Sequence, residues 1–223
     1  MTTLLSRGIL GLAAMTLLAA TASANLLVNP GFEDTPFAGA EEAGVGTGWT
    51  GFGANFRVQQ AGPGPCDPIS CAGAHGGTVS LKNFGEAGAY QDVAATAGQA
   101  FAASIWAINP ANADALVLGQ IGALNIEWLN GAGDNIGTVF GDTISAATPT
   151  DVWTLLTATG VAPAGTEFAR FVLITGPFDP AGPGGGAPRW DDATFEVVPI
   201  PGAILLLGSG LLGLMGIRRK KAA

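Results

Sequence analysis

Few residues in this chain have chemistry to offer, and they are spread unevenly. It has one histidine, His75, and two cysteines, Cys66 and Cys71, close together in the run PGPCDPISCAG. So short a spacing in a Pro/Gly loop favours a local disulfide, which closes a small ring and adds modest stability. Zinc would need four ligands, and no second cysteine pair completes such a set. His75 stands in Gly-Ala-His-Gly-Gly, and no Gly-x-Ser-x-Gly run marks an acyl-transfer nucleophile. Glu41 and Glu42 are adjacent, so in a strand they would point to opposite faces, the wrong arrangement for a glycosidase pair. Gly184-Gly185-Gly186 lacks the Lys-Ser/Thr that follows in a phosphate cradle. No catalytic residue is expected. What remains is aromatic: five Trp, one Tyr and eleven Phe supply flat faces that stack on sugar rings when polar side chains stand beside them. Trp49, in a glycine-rich stretch with Phe52, is the tryptophan expected to be exposed. Trp106, among apolar neighbours, is expected in the core.

The elements that must position these residues are strands. Gly and Pro account for 35 and 14 of 223 residues, and only 12% are charged. That composition disfavours a helical bundle and excludes a charge-rich disordered chain. A net charge of -8 excludes a basic nucleic-acid binder. Period-two alternation marks Val79–Lys82, Leu124–Trp128 and Phe168–Ile174. Further candidates are Asn55–Gln60, Tyr90–Ala94, Phe101–Asn109, Trp153–Ala158 and Arg189–Val197. About eight short strands punctuated by Gly, Pro, Asn and Asp predict an all-β, antiparallel sandwich over Asn25–Val197.

The two ends are read as separate segments. Arg7, the apolar Gly8–Ala20 and the small-residue site Ala22-Ser23-Ala24 predict a signal peptide over residues 1–24. At the other end, Val197–Ile217 is uncharged and is followed by Arg218, Arg219, Lys220 and Lys221. That length and charge order predict a transmembrane helix with its C-terminus in the cytoplasm. The domain between them holds all seventeen acidic residues but only Arg57, Lys82, Arg170 and Arg189, a net charge of -13. Such a surface avoids phosphate backbones and anionic lipid, and could hold divalent cations.

The tail, Val198-Pro199-Ile200-Pro201-Gly202-Ala203 followed by ILLLGSGLLGLMGIRRKKAA, resembles a PEP-CTERM segment, with Ile200 where Glu is commonest. The resemblance implies export in a Gram-negative bacterium and recognition by an exosortase at the inner membrane, with the cell surface or extracellular matrix as destination. Val198, Pro199 and Pro201 would be the sorting motif, and Arg218 and Arg219 would open its basic cluster.

The domain carries NLLVNPGFED, GTGWTGF, AYQDVAATAGQAFAASIWA, DVWTLLTATGVAPAGTEFARFVL and RWDDATFEVV in that order. It resembles the carbohydrate-binding modules of families four, nine and twenty-two, which implies a jelly roll. In that family a Gly-Trp loop flanks the binding cleft and a Tyr-Gln strand crosses its concave face. By this resemblance Trp49, Tyr90 and Gln91 are the carbohydrate-binding candidates, with Trp128 behind them. The family's structural calcium would carry over to Glu33 and one Asp of the Asp191–Asp192 pair, Asp191 being the choice. Calcium suits such a site because it takes oxygen ligands from carboxylates and backbone carbonyls. The expected function is binding of exopolysaccharide. The alternative is a structural or adhesive biofilm-matrix protein with no sugar pocket. The two differ in whether Trp49, Tyr90, Gln91 and Trp128 converge on one exposed face.

Overall fold

A computed structural model describes residues 24–34, 36–59, 73–177 and 185–199. Residues 1–23 of the predicted leader, Cys66 and Cys71, and the tail from Ile200, with Pro201, Arg218 and Arg219, lie outside the described residues. Among the described residues no helix is long and apolar enough to cross a membrane.

The regular elements among these residues are strands: β1 (Glu41–Ala43), β2 (Thr50–Gln59), β3 (Val79–Ala94), β4 (Ala100–Ile108), β5 (Ile121–Leu129), β6 (Asn135–Ser145), β7 (Thr154–Val161), β8 (Phe168–Gly176) and β9 (Arg189–Val198). All strand pairings are antiparallel. One layer runs β1-β2-β3-β8-β5-β6 and the other β3-β9-β4-β7. β3 serves both: Ala87–Ala94 pair with β8, whereas Leu81 and Lys82 pair with β9. Gly85, between those stretches at φ 68°, adopts the left-handed backbone that a side chain would oppose. The result is an antiparallel jelly-roll β-sandwich.

Alternation decides which side of each strand is buried. Phe101, Ala103, Ile105 and Ala107 of β4 face inward, as do Ala169, Phe171 and Leu173 of β8. A chain of ring contacts crosses the core: Phe32 to Trp49 at 5.0 Å, Trp49 to Phe171 at 5.8 Å, Phe171 to Phe195 at 5.7 Å, Phe195 to Phe101 at 5.2 Å, Phe101 to Trp128 at 5.7 Å. Each pair adds about 0.5–1.5 kcal/mol beyond its burial.

The segment before β1 runs beside β9. The Leu26 N–H donates to Phe195 O at 2.8 Å, and the Ala193 N–H donates to Pro30 O at 3.0 Å. The Asn25 amide donates to Ala193 O and accepts from the Phe195 N–H. β9 is therefore flanked by β4 along one edge and by this segment and β3 along the other. Val198, assigned to the tail from sequence, is the last residue of β9 and pairs with Ala100. Pro199 follows it, exposed, and its lack of an N–H stops the ladder.

Candidate functional site

The outward face of the β2-β3-β8-β5-β6 layer is built in rows by strand register. One row reads Thr50, Tyr90, Val172, Asn125, Phe140. The next reads Asp92, Arg170, Glu127, Thr138. A third reads Phe52, Gly88, Ile174, Ala123. These positions point outward because the alternate ones, Ala89, Phe171, Ile126 and Val139, enter or abut the core. Phe140 is 81% exposed, and Phe52 and Ile174 are also exposed. A Cβ on Gly88 would come within 2.2 Å of the Phe52 Cζ, so the bare backbone at Gly88 is what lets the Phe52 ring lie across β3. At the usual strand spacing, Tyr90 and Phe140 stand about 14 Å apart across the face.

Arg170 organises the polar row. Its Nε and Nη2 donate to the two Asp92 carboxylate oxygens at 2.7 and 3.0 Å, and Glu127 lies 3.7 Å from its Nη1. Its guanidinium sits 3.8 Å from the Tyr90 ring centre. Donating to the Asp92 carboxylate raises the Arg170 pKa further. The cation is thus held flat over an aromatic face by a side-on carboxylate pair, and the row carries net negative charge.

Of the four residues proposed from sequence to hold sugar, only Tyr90 lies on this face, half-buried, with Arg170 over its ring. The other three must be corrected. Trp49 is 7% exposed: its ring sits between Phe32 and Phe171, and its Nε1–H donates to Asn29 O at 3.0 Å. Gln91 points inward, accepting from the Val28 N–H at 3.0 Å and donating to Val28 O at 2.8 Å, so it ties the N-terminal segment to β3. Trp128 is 3% exposed and packs on Phe101. Each is a core or latch residue with no ring face left for a ligand. Trp106, by contrast, lies outside the core, and His75 stacks on it at 4.2 Å.

Sequence reasoning missed Asn125, Glu127, Phe140 and Arg170. The alternation in β8 placed Arg170, Val172 and Ile174 on one side but could not say which side was outer. Phe140 lies in β6, a strand with no clean alternation in NIGTVFGDTIS and with a register shift opposite Ala123 and Asn125.

Glu33 and Asp191 come together near the start of β9. The Glu33 carboxylate accepts the Thr78 N–H at 2.6 Å, the Thr78 hydroxyl at 3.0 Å and the Val79 N–H at 2.6 Å. Asp191, fully buried, accepts the His75 N–H at 2.8 Å, the Gly76 N–H at 3.0 Å and the Asp192 N–H at 2.7 Å. His75 Nδ1 lies 2.7 Å from Asp192 Oδ2. Gly31 lies between these carboxylates: a Cβ there would be 3.6 Å from Asp192 Oδ1, 3.7 Å from Asp191 Oδ1 and 3.7 Å from Glu33 Cγ. Burial pushes the Asp191 carboxyl up to about 7, against the pull of its backbone donors. Among the described residues only backbone N–H groups bond Asp191; a carboxylate buried in that way suits an added cation, and the oxygen donors suit a hard one. Among the described residues no three His, Cys, Asp or Glu side chains form a complete ligand set, so backbone carbonyls would have to supply the rest.

On the outer face of the other layer, Lys82 and Arg189 pair across β3 and β9, both buried. Lys82 bonds Glu41 and lies 3.4 Å from Asp114. Burial lowers the Arg189 pKa, opposed by Asp114, Glu41 and Asp151. Its Nε and Nη2 have no partner among the described residues.

No protein-family model and no curated protein matches the chain. Solved structures do. A Stig cyclase, Fisc from Fischerella sp. TAU, superposes with TM-score 0.56 at 14% identity, covering 80% of this chain and 99% of the cyclase. TmCBM61 in complex with β-1,4-galactotriose gives 0.49 at 19% identity, over 78% of this chain and 99% of that one. The CBM22-1 xylan-binding domain of Paenibacillus barcinonensis Xyn10C gives 0.48 at 17%, over 82% and 99%. At such low identity the likeness to the cyclase is one of fold alone.

Proposed function

We propose that the chain is a non-catalytic carbohydrate-binding protein that takes a neutral polysaccharide on the outward face of the β2-β3-β8-β5-β6 layer. The observation that carries this reading is Phe140, an exposed ring at one end of a row that begins beside Tyr90 and has Asn125, Glu127 and Arg170 as hydrogen-bonding neighbours. Arg170 is committed to Asp92 and Glu127, so no free cation on this row recruits a uronate. The test is binding of the purified chain to β-1,4-galactan, β-1,4-xylan, alginate and polygalacturonate. The expected result is saturable binding to a neutral glycan and none to the two uronates. Failure to bind any glycan would leave the structural or adhesive role.

We also propose that Asp191 and Glu33 hold a structural calcium ion. Bound there, calcium supplies the positive charge that buried Asp191 lacks; Glu33 and Asp191 then clamp the N-terminal segment to β9 and to the start of β3. Its support is the burial of Asp191 and the gap at Gly31. Chelation is expected to lower the melting temperature and added calcium to restore it; an unchanged transition would sink the proposal. Export and surface sorting through the PEP-CTERM-like tail, with an exosortase as partner, complete the reading and rest on the sequence of the two ends. Truncation after Pro199 is expected to move the protein from the cell surface to the medium.

A further inference from the structure

One end of the sandwich interior is polar. Asn83, Thr175 and Trp190 are fully buried and Asn55 is 8% exposed. Asn83 Oδ1 and Nδ2, Asn55 Oδ1, Thr175 Oγ1 and Trp190 Nε1 have no hydrogen-bond partner among the described residues. Register brings these groups to one place. Asn55 is the cross-strand partner of Asn83. Trp190 is the partner of Leu81, two residues before Asn83. Thr175 is the partner of both Ala87 and Gly122. The Trp190 ring lies against Gly122, where a Cβ would stand 3.0 Å from its Cη2 and 3.1 Å from its Cζ2. The Cζ2–Cη2 edge of the indole therefore abuts Gly122, the cross-strand partner of Thr175.

Gln120, 1% exposed, seals the end: its amide reaches Gly85 O at 3.4 Å and Gly186 O at 3.3 Å, and its Oε1 accepts the Gly186 N–H at 2.7 Å. The cluster is distinct from the outward face and from Asp191, which lies on the other side of β9 from Trp190.

Leaving even one such group unpaired in an apolar interior is costly, and here five atoms share the same end. The set is also balanced. The Asn83 amide N–H and the indole N–H donate, the two amide oxygens accept, and the Thr175 hydroxyl does either. No charge is among them, so neither a cation nor an anion is favoured. We propose that ordered water molecules are built into this end of the core, bridging Asn55, Asn83, Thr175 and Trp190. At about three hydrogen bonds per buried water, the groups provide for roughly two. The waters join the two layers where β3 passes between them.

Thr175→Val tests this by sign, because valine keeps the shape and removes only the hydroxyl. If Thr175 bonds to water, the variant of the full chain melts lower, by about 2–4 °C for one lost hydrogen bond in a domain of this size. If the hydroxyl is buried dry, losing it leaves the melting temperature unchanged or raised, which overturns the proposal. Nuclear Overhauser contact between long-lived water and the Trp190 indole N–H of the unaltered chain is the second readout. Its presence is expected, and its absence overturns the proposal whatever the variant does.

Discussion

Arg170 and Arg189 sit on outward positions of neighbouring layers, each among carboxylates, and they are used in opposite ways. Arg170 is half-buried, paired side-on with Asp92 and laid over Tyr90, and its pKa is raised. Arg189 is 1% exposed, its side-on edge has no partner among the described residues, and its pKa is lowered by burial. The first is a pre-organised part of a surface beside exposed rings. The second is a balancing charge beneath a covered sheet, set against Glu41, Asp114 and Asp151. The same side chain therefore belongs to an open face, the one proposed to take glycan, in one layer and to a covered contact in the other, and what differs is solvent access.

The comparison breaks most visibly in the core that backs the open face. Trp49→Ala removes a ring wedged between Phe32 and Phe171 and is expected to cost about 3–5 kcal/mol, measured by denaturant unfolding. Any glycan binding it loses should return wherever the variant is still folded; a binding defect in fully folded protein would restore Trp49 as a ligand contact. Arg189→Ala comes next. It removes a positive charge beside Glu41 and Asp114, which keep Lys82, at an expected cost of about 3 kcal/mol, with glycan affinity untouched in the folded fraction.

The Asp191 carboxyl supplies a pH test. Its folded pKa of about 7 exceeds the ordinary 3.8, so between those values the folded state holds a proton that the unfolded chain has released. Stability in chelator should accordingly fall as pH rises from 4 to 7, by on the order of a few kcal/mol, and calcium should flatten that slope. A flat profile in chelator would mean that Asp191 is solvated. The smallest effect sharpens the comparison from the open side. Phe140→Ala should weaken neutral-glycan binding about tenfold, near 1.4 kcal/mol, and leave the melting temperature within a degree or two.

The sandwich was legible because its core strands alternate cleanly. Phe101 to Ala107 and Ala169 to Leu173 betray their period without help from the rest of the molecule. β6 was invisible because Gly137, Gly141 and Asp142 break any pattern, and β5 supplies the ladder that holds it extended. β3 read as two strands because Gly85 and Gly88 interrupt it; one turns the chain between layers and the other makes room for Phe52. The candidate site was less legible. A Gly-Trp loop looks exposed in sequence, yet a core partner arriving from β8 decides that Trp49 is covered. Likewise nothing local distinguishes Gln91 as a latch for Val28 from Gln91 as a ligand contact. Glu33 and Asp191 both border Gly31, because the N-terminal segment runs along β9 and carries Gly31 and Glu33 to its start.

That arrangement of β9 has a mechanical side. Tension on the C-terminus enters at Val198 and is directed along the strand axis, between β4 and the N-terminal segment. The rungs from Ala100–Val198 back to Ile108–Arg189, together with the bonds from Leu26 and Asn25, then bear load in shear and share it. They do not open one after another as a zipper would. A domain tethered through Pro199 would resist drag on whatever its open face holds until the rungs of β9 yield together.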